Sequence, residues 1–89
     1  MSWPTGLAAI PESRRVFVDV REDILRGVEP FPRIMKAVSE LGAGQVLVLR
    51  APFEPVPLYG VLGKRGFTHR TESRAADDWW VTFYREGGA

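Results

Sequence analysis

At 89 residues, with apolar residues at 45% and charged residues at 26%, the chain has the size and make-up of one small globular domain. Twelve basic side chains stand against eleven acidic ones, a net charge of +1, so no long-range field draws nucleic acid or an anionic membrane surface. There is no cysteine and a single histidine, His69, which removes disulfides, thiolate nucleophiles, persulfide carriage, iron–sulfur clusters and histidine-rich metal sites together.

Residues 1–14 hold Pro4, Gly6 and Pro11 without sustained periodicity and are expected to form a flexible arm. They show neither a basic n-region nor an apolar h-region. The longest apolar run, Val46 to Leu49, is far below the roughly 20 residues of a membrane span, so a cytoplasmic protein is expected. Val16-Phe17-Val18-Asp19-Val20 then alternates, with the three valines on one face of a strand and Phe17 and Asp19 on the other. The charged stretch from Arg21 to Pro30, broken by Gly27, reads as a loop.

From Phe31 the period changes. Phe31, Ile34, Met35, Val38 and Leu41 form one stripe of an amphipathic helix. Pro30 and Pro32 suit its start, and Gly42 stands where a left-handed C-terminal cap is expected. The continuous run within Gln45 to Arg50 predicts a central strand. After the proline-rich turn from Ala51 to Pro57, a short helix puts Leu58, Val61 and Leu62 on one face, with Gly66 as its cap. Two strands close the chain, Phe67 to Ser73 and Trp79 to Arg85, joined as a hairpin through Arg74 to Asp78.

The order β-α-β-α-β-β predicts an α+β fold, a two-layer α/β sandwich. Its mixed four-stranded sheet has two helices on one face, and its other face is uncovered in the monomer. One domain is expected over residues 15–86, with a frayed tail at 87–89. A chain this small buries only about 60–65% of its unfolded surface and needs a well-filled core, which three tryptophans, five phenylalanines and two tyrosines can supply. Burying an apolar face in a dimer is a further route to stability.

The punctuating residues are Asp19-Val20-Arg21, Glu29-Pro30-Phe31-Pro32, Leu41-Gly42-Ala43-Gly44-Gln45, the proline-framed Phe53 to Tyr59 segment, Gly66-Phe67 and Trp79-Trp80-Val81-Thr82-Phe83. With them the chain resembles, from about Val16 to Arg85, a bacterial family of small uncharacterised domains, domain of unknown function 2249. The fold of that family looks like that of the TusA/SirA sulfur carriers. In those carriers a Cys-Pro-x-Pro motif at the first helix N-terminus supplies the thiolate that holds persulfide, where the helix dipole lowers a thiol pKa. Counting back from the helix without gaps places that cysteine at Gly27. The resemblance thus implies a carrier-like scaffold without its cargo group.

No catalytic, cofactor or metal residues are expected. Glu22, Glu29 and Glu54 read as solvated caps and turn residues, and His69 without further ligands reads as structural. No hydroxyl lies in a nucleophile-elbow pattern, and Gly42-Ala43-Gly44 follows a helix and precedes a strand, the reverse of a phosphate loop. Two surfaces remain. One is an interaction face on the open side of the sheet, with Phe17, Arg70, Trp80 and Tyr84, of the aromatic and arginine composition that protein interfaces favour. The other is a ligand corner made of Asp19, Arg21, Glu29, Pro30, Phe31, Phe53 and Glu54, where Arg21 and a helix N-terminus are placed to receive a small anion. Asp19 and Arg21 also read as a simple charge pair fixing the loop. Arg65, Arg70, Arg74 and Arg85 beside Trp80 and Tyr84 suggest single-stranded nucleic acid, but the balanced charge argues against it. A non-catalytic module that binds a protein partner or a second copy is the expectation, with no membrane and no cofactor; the alternative is a small-anion ligand-binding protein or accessory enzyme subunit with its site near Asp19, Arg21 and the first helix N-terminus.

Overall fold

Strand β1, Arg15–Asp19, forms where valines alternate with Phe17 and Asp19, and it lies parallel to β2, Val46–Ala51. The structure, a computed structural model, describes residues 11–42 and 44–85; the expected tail and the arm up to residue 10 lie outside the described residues. Helix α1 spans Arg21–Leu25, α2 Phe31–Ser39 and α3 Val56–Gly63, followed by β3, Thr68–Ala75, and β4, Asp78–Tyr84. The sheet runs β1-β2-β4-β3, mixed and four-stranded as expected, with β2 antiparallel to β4 and β4 antiparallel to β3.

One apolar cluster joins sheet and helices. Val18 and Val20, Leu47 and Leu49, Val81 and Phe83 meet Ile34 and Val38 of α2 and Leu58 and Leu62 of α3. Both long helices therefore cover the same sheet face. Each fully buried aliphatic side chain there contributes about 1.5–3 kcal/mol relative to exposure.

Helix α1 stands where a loop was expected. Asp19 starts it, its Oδ1 accepting the Arg21 backbone N–H at 3.1 Å. Gly27, at φ +74°, ends it: the Val28 N–H reaches the Asp23 carbonyl at 2.8 Å and the Gly27 N–H reaches Ile24 at 3.1 Å. This is a Schellman closure, in which a left-handed residue satisfies the last helical carbonyls. Ile24 packs onto the core cluster, which ties the four other residues of α1, charged or exposed, to the fold. The same closure recurs at Gly66, φ +89°, where Phe67 donates to the Leu62 carbonyl at 3.0 Å and both side chains are buried.

Two smaller expectations are corrected. Gly42 is not left-handed; Gly44 is, at φ +79°, while the Gly42 N–H donates to Gln45 Oε1 at 2.7 Å. The hairpin is also tighter than a five-residue loop, because β3 continues to Ala75 through a bulge after Ser73.

The second sheet face carries its own cover. Val46 and Val48 point away from the helices yet are only 1% and 2% exposed. Trp80 and Tyr84 pack against them, and Phe17 lies 5.5 Å from Trp80 between ring centroids.

Candidate functional site

Where the parallel strands β1 and β2 end, the chain leaves for α1 and for the proline-rich segment before α3. Open α/β sheets place ligands beyond the carboxyl ends of their parallel strands. Two recesses lie here, one on either side of α1: Ile24 lines the first, and Glu22, Asp23 and Leu25 line the second.

The first is an apolar cleft of about 250 Å³. Val20, Leu49, Ala51, Ile34 and Leu58 are its buried part, and Phe31 and Phe53 stand 41% and 52% exposed in its lining. Proline shapes this wall. Pro55 precedes α3 and Pro57 sits in its first turn, where no helical hydrogen bond is lost. Glu29 is the one carboxylate lining the cleft, and its Oε1 already accepts the Phe31 N–H at 3.2 Å, at the positive end of α2.

The second recess is a charged groove. Asp19, Glu22, Asp23, Asp77 and Asp78 line it together with Arg21 and Arg33. The guanidiniums are already engaged. Arg21 binds both Asp19 oxygens, at 2.9 to 3.3 Å. Arg33 binds Asp23 at 2.7 Å and the Asp19 carbonyl at 3.0 Å. Arg50, on β2, holds Asp78 through two 2.8 Å bonds. The hydrogen bonds from Arg21 and from Arg50 hold the Asp19 and Asp78 carboxyls below the ordinary range, against a smaller opposing effect of desolvation. The same bonds raise both guanidiniums above their usual values.

The residues of the expected ligand corner thus divide. Glu29, Pro30, Phe31 and Phe53 meet at the cleft, Asp19 and Arg21 at the groove. Glu54 joins neither; it accepts the Tyr59 hydroxyl at 3.1 Å, and that hydroxyl also bonds Thr71 Oγ1 at 2.6 Å. Burial pushes the Tyr59 phenol upward. His69 stacks on Tyr59 with centroids 3.7 Å apart and planes 1° from parallel. Among the described residues no group of three or more His, Asp or Glu side chains is placed to hold a metal ion.

On the sheet face, the guanidiniums of Arg50 and Arg74 lie 4.8 and 4.2 Å from the Trp80 ring centroid. Arg70 is exposed opposite Thr82 and Tyr84 is half-buried, so among the described residues Phe17, at 53%, is the strongly exposed apolar side chain of that face. Of the other exposed large apolar side chains among the described residues, Phe31 and Phe53 line the cleft and Leu25 the groove, while Val28 and Val56 line neither. The sequence pattern marks Ile34, Leu49, Leu58 and Val61 only as core-facing positions, not as a cleft lining, and leaves Ile24 in a loop. The available signal was Ile24-Leu25, an aliphatic pair inside a charged stretch.

No helix among the described residues is long and apolar enough to cross a membrane. The family model described as Uncharacterized conserved protein (DUF2249) matches residues 18–85, most of the chain. No curated protein and no solved structure matches it.

Proposed function

The chain belongs to the DUF2249 family of uncharacterized conserved proteins, and on that footing we propose that it is a non-catalytic binding module that receives an apolar group of a protein partner in the cleft between α1, α2 and α3. One observation carries the reading: two exposed aromatic side chains, Phe31 and Phe53, line a preformed apolar recess at the carboxyl ends of the parallel strands. Exposed aromatic side chains set around an apolar recess are the usual composition of a docking site.

The scaffold is read as one of sulfur-carrier type that has lost its cargo. The support is the sequence resemblance; the +74° φ of Gly27 belongs to the closure of α1 and disfavours any side chain there by about 1–2 kcal/mol. The sheet face has less support as the interface, its Trp80 being already shared by Phe17 and two arginines. A small-anion site has less again, because Arg21 is neutralised by Asp19 in a groove richer in carboxylates than in guanidiniums.

The test compares Phe31→Ser with Phe53→Ser and Phe17→Ser in affinity capture from the native cell, with thermal melts confirming that each variant is folded. A partner lost with the first two and retained with Phe17→Ser supports the cleft. Loss with Phe17→Ser alone moves the interface to the sheet.

A further inference from the structure

We propose that the occupant of the cleft is a basic peptide segment of a partner protein, seated by one aromatic or long aliphatic side chain, with flanking lysine or arginine residues laid into the acidic groove beside it. This rests on the binding reading above and adds the chemistry of the partner.

Size narrows the class first. A cavity of about 250 Å³ falls below the roughly 300–1,000 Å³ of sites that enclose drug-sized ligands or cofactors. It suits a side-chain anchor, the kind of buried apolar contact on which protein interfaces concentrate their binding energy. Hydrogen bonding narrows it further. The lining is almost wholly apolar, and its one carboxylate, Glu29, already caps α2, so nothing in the cleft recognises a polar head group.

Charge then decides what must flank the anchor. The groove across α1 offers five carboxylates against two guanidiniums, and both guanidiniums are spent on Asp19 and Asp23. Two of the carboxylates are available. Glu22 has only a loose, exposed 3.6 Å pair with Arg26, and Asp77, exposed at the hairpin turn, has no ion pair among the described residues. An acidic segment following its anchor across α1 meets like charge; a basic one gains steering and register. Leu25, exposed in the groove lining, offers apolar surface to the methylene stems of such lysines or arginines.

The experiment is an NMR titration of the full-length, nitrogen-15-labelled protein with four probes: the peptide Lys-Lys-Trp-Lys-Lys, the same peptide with alanine for tryptophan, the same with glutamate for every lysine, and free indole. The first peptide is expected to shift the amides of Ile24, Phe31, Phe53 and Leu58, with the alanine and glutamate peptides about tenfold weaker or more. Its affinity should fall severalfold in the E22Q/D77N variant and again as salt rises from about 50 to 300 mM. Equal binding of the glutamate peptide overturns the proposal, as do shifts confined to Phe17 and Trp80. Indole shifts in the cleft without discrimination among the peptides overturn the basic-segment class and leave the binding reading standing. No shift from any probe removes both.

Discussion

Arg50 on β2 grips Asp78 on β4 fork to fork, two 2.8 Å hydrogen bonds across adjacent strands at the edge of the charged groove. The pair holds the Asp78 carboxyl below its ordinary value, as Arg21 holds Asp19. Depressed folded-state pKa values mean that the unfolded chain protonates first as the pH drops. The stabilisation is complete above the unfolded carboxylate pKa, about 3.9, and is lost as the pH falls through the lower folded values. Urea midpoints of the wild type and Asp78→Asn should therefore differ most at neutral pH and converge toward pH 3. A difference that stays constant over that range contradicts the linkage.

Glycines separate into two kinds by backbone. Gly66→Ala forces a side chain into φ +89° and is expected to cost about 1–2 kcal/mol. Gly60 lies inside α3 with open space where a Cβ would stand, so Gly60→Ala should stabilise by about 0.5–1 kcal/mol. Chemical denaturation of the two variants tests the opposite signs. Gly27→Cys, at φ +74°, should likewise lower stability by about 1–2 kcal/mol in the same denaturation experiment.

The long elements were legible because their periods are long enough to read. The stripe of α2 was correct in membership, with Ile34 and Val38 buried and Met35 and Leu41 packed at the margin. Its first member, Phe31, instead turns to the cleft at 41% exposure, a fate set by α1 and the prolines beyond it. Helix α1 was hidden because five residues do not complete two turns, and because Gly27 signals a break whether a loop or a helix precedes it. Arg21 looked free in sequence. Only the chain's turn after Asp19, two residues back, closes the carboxylate onto it.

Trp80 is a structural cover for Val46 and Val48 before it is a contact surface. Trp80→Ala should lower stability by about 2–4 kcal/mol, near the low end of large aromatic truncations because the ring is only partly buried. Phe17→Ala, at 53% exposure, should cost no more than about 1 kcal/mol. Equilibrium unfolding followed by fluorescence separates the two; equal costs would mean that Trp80 does not shield the valines.

Tyr59 bridges Glu54 and Thr71 while stacked on His69. Tyr59→Phe removes both hydrogen bonds and keeps the ring, so a loss of about 1 kcal/mol is expected. Ultraviolet titration should show the Tyr59 phenol ionising above its ordinary value of 10.0, and that transition should be missing in Tyr59→Phe. A variant of unchanged stability would mean that solvent replaces the two bonds without cost.

The most direct measurement is site-specific photo-crosslinking in the native cell, with benzoylphenylalanine placed at position 53 in one variant and at position 17 in another. The cleft interface predicts a discrete protein adduct from position 53 and none from position 17. An adduct from position 17 with none from position 53 would place the binding surface on the sheet and contradict the cleft.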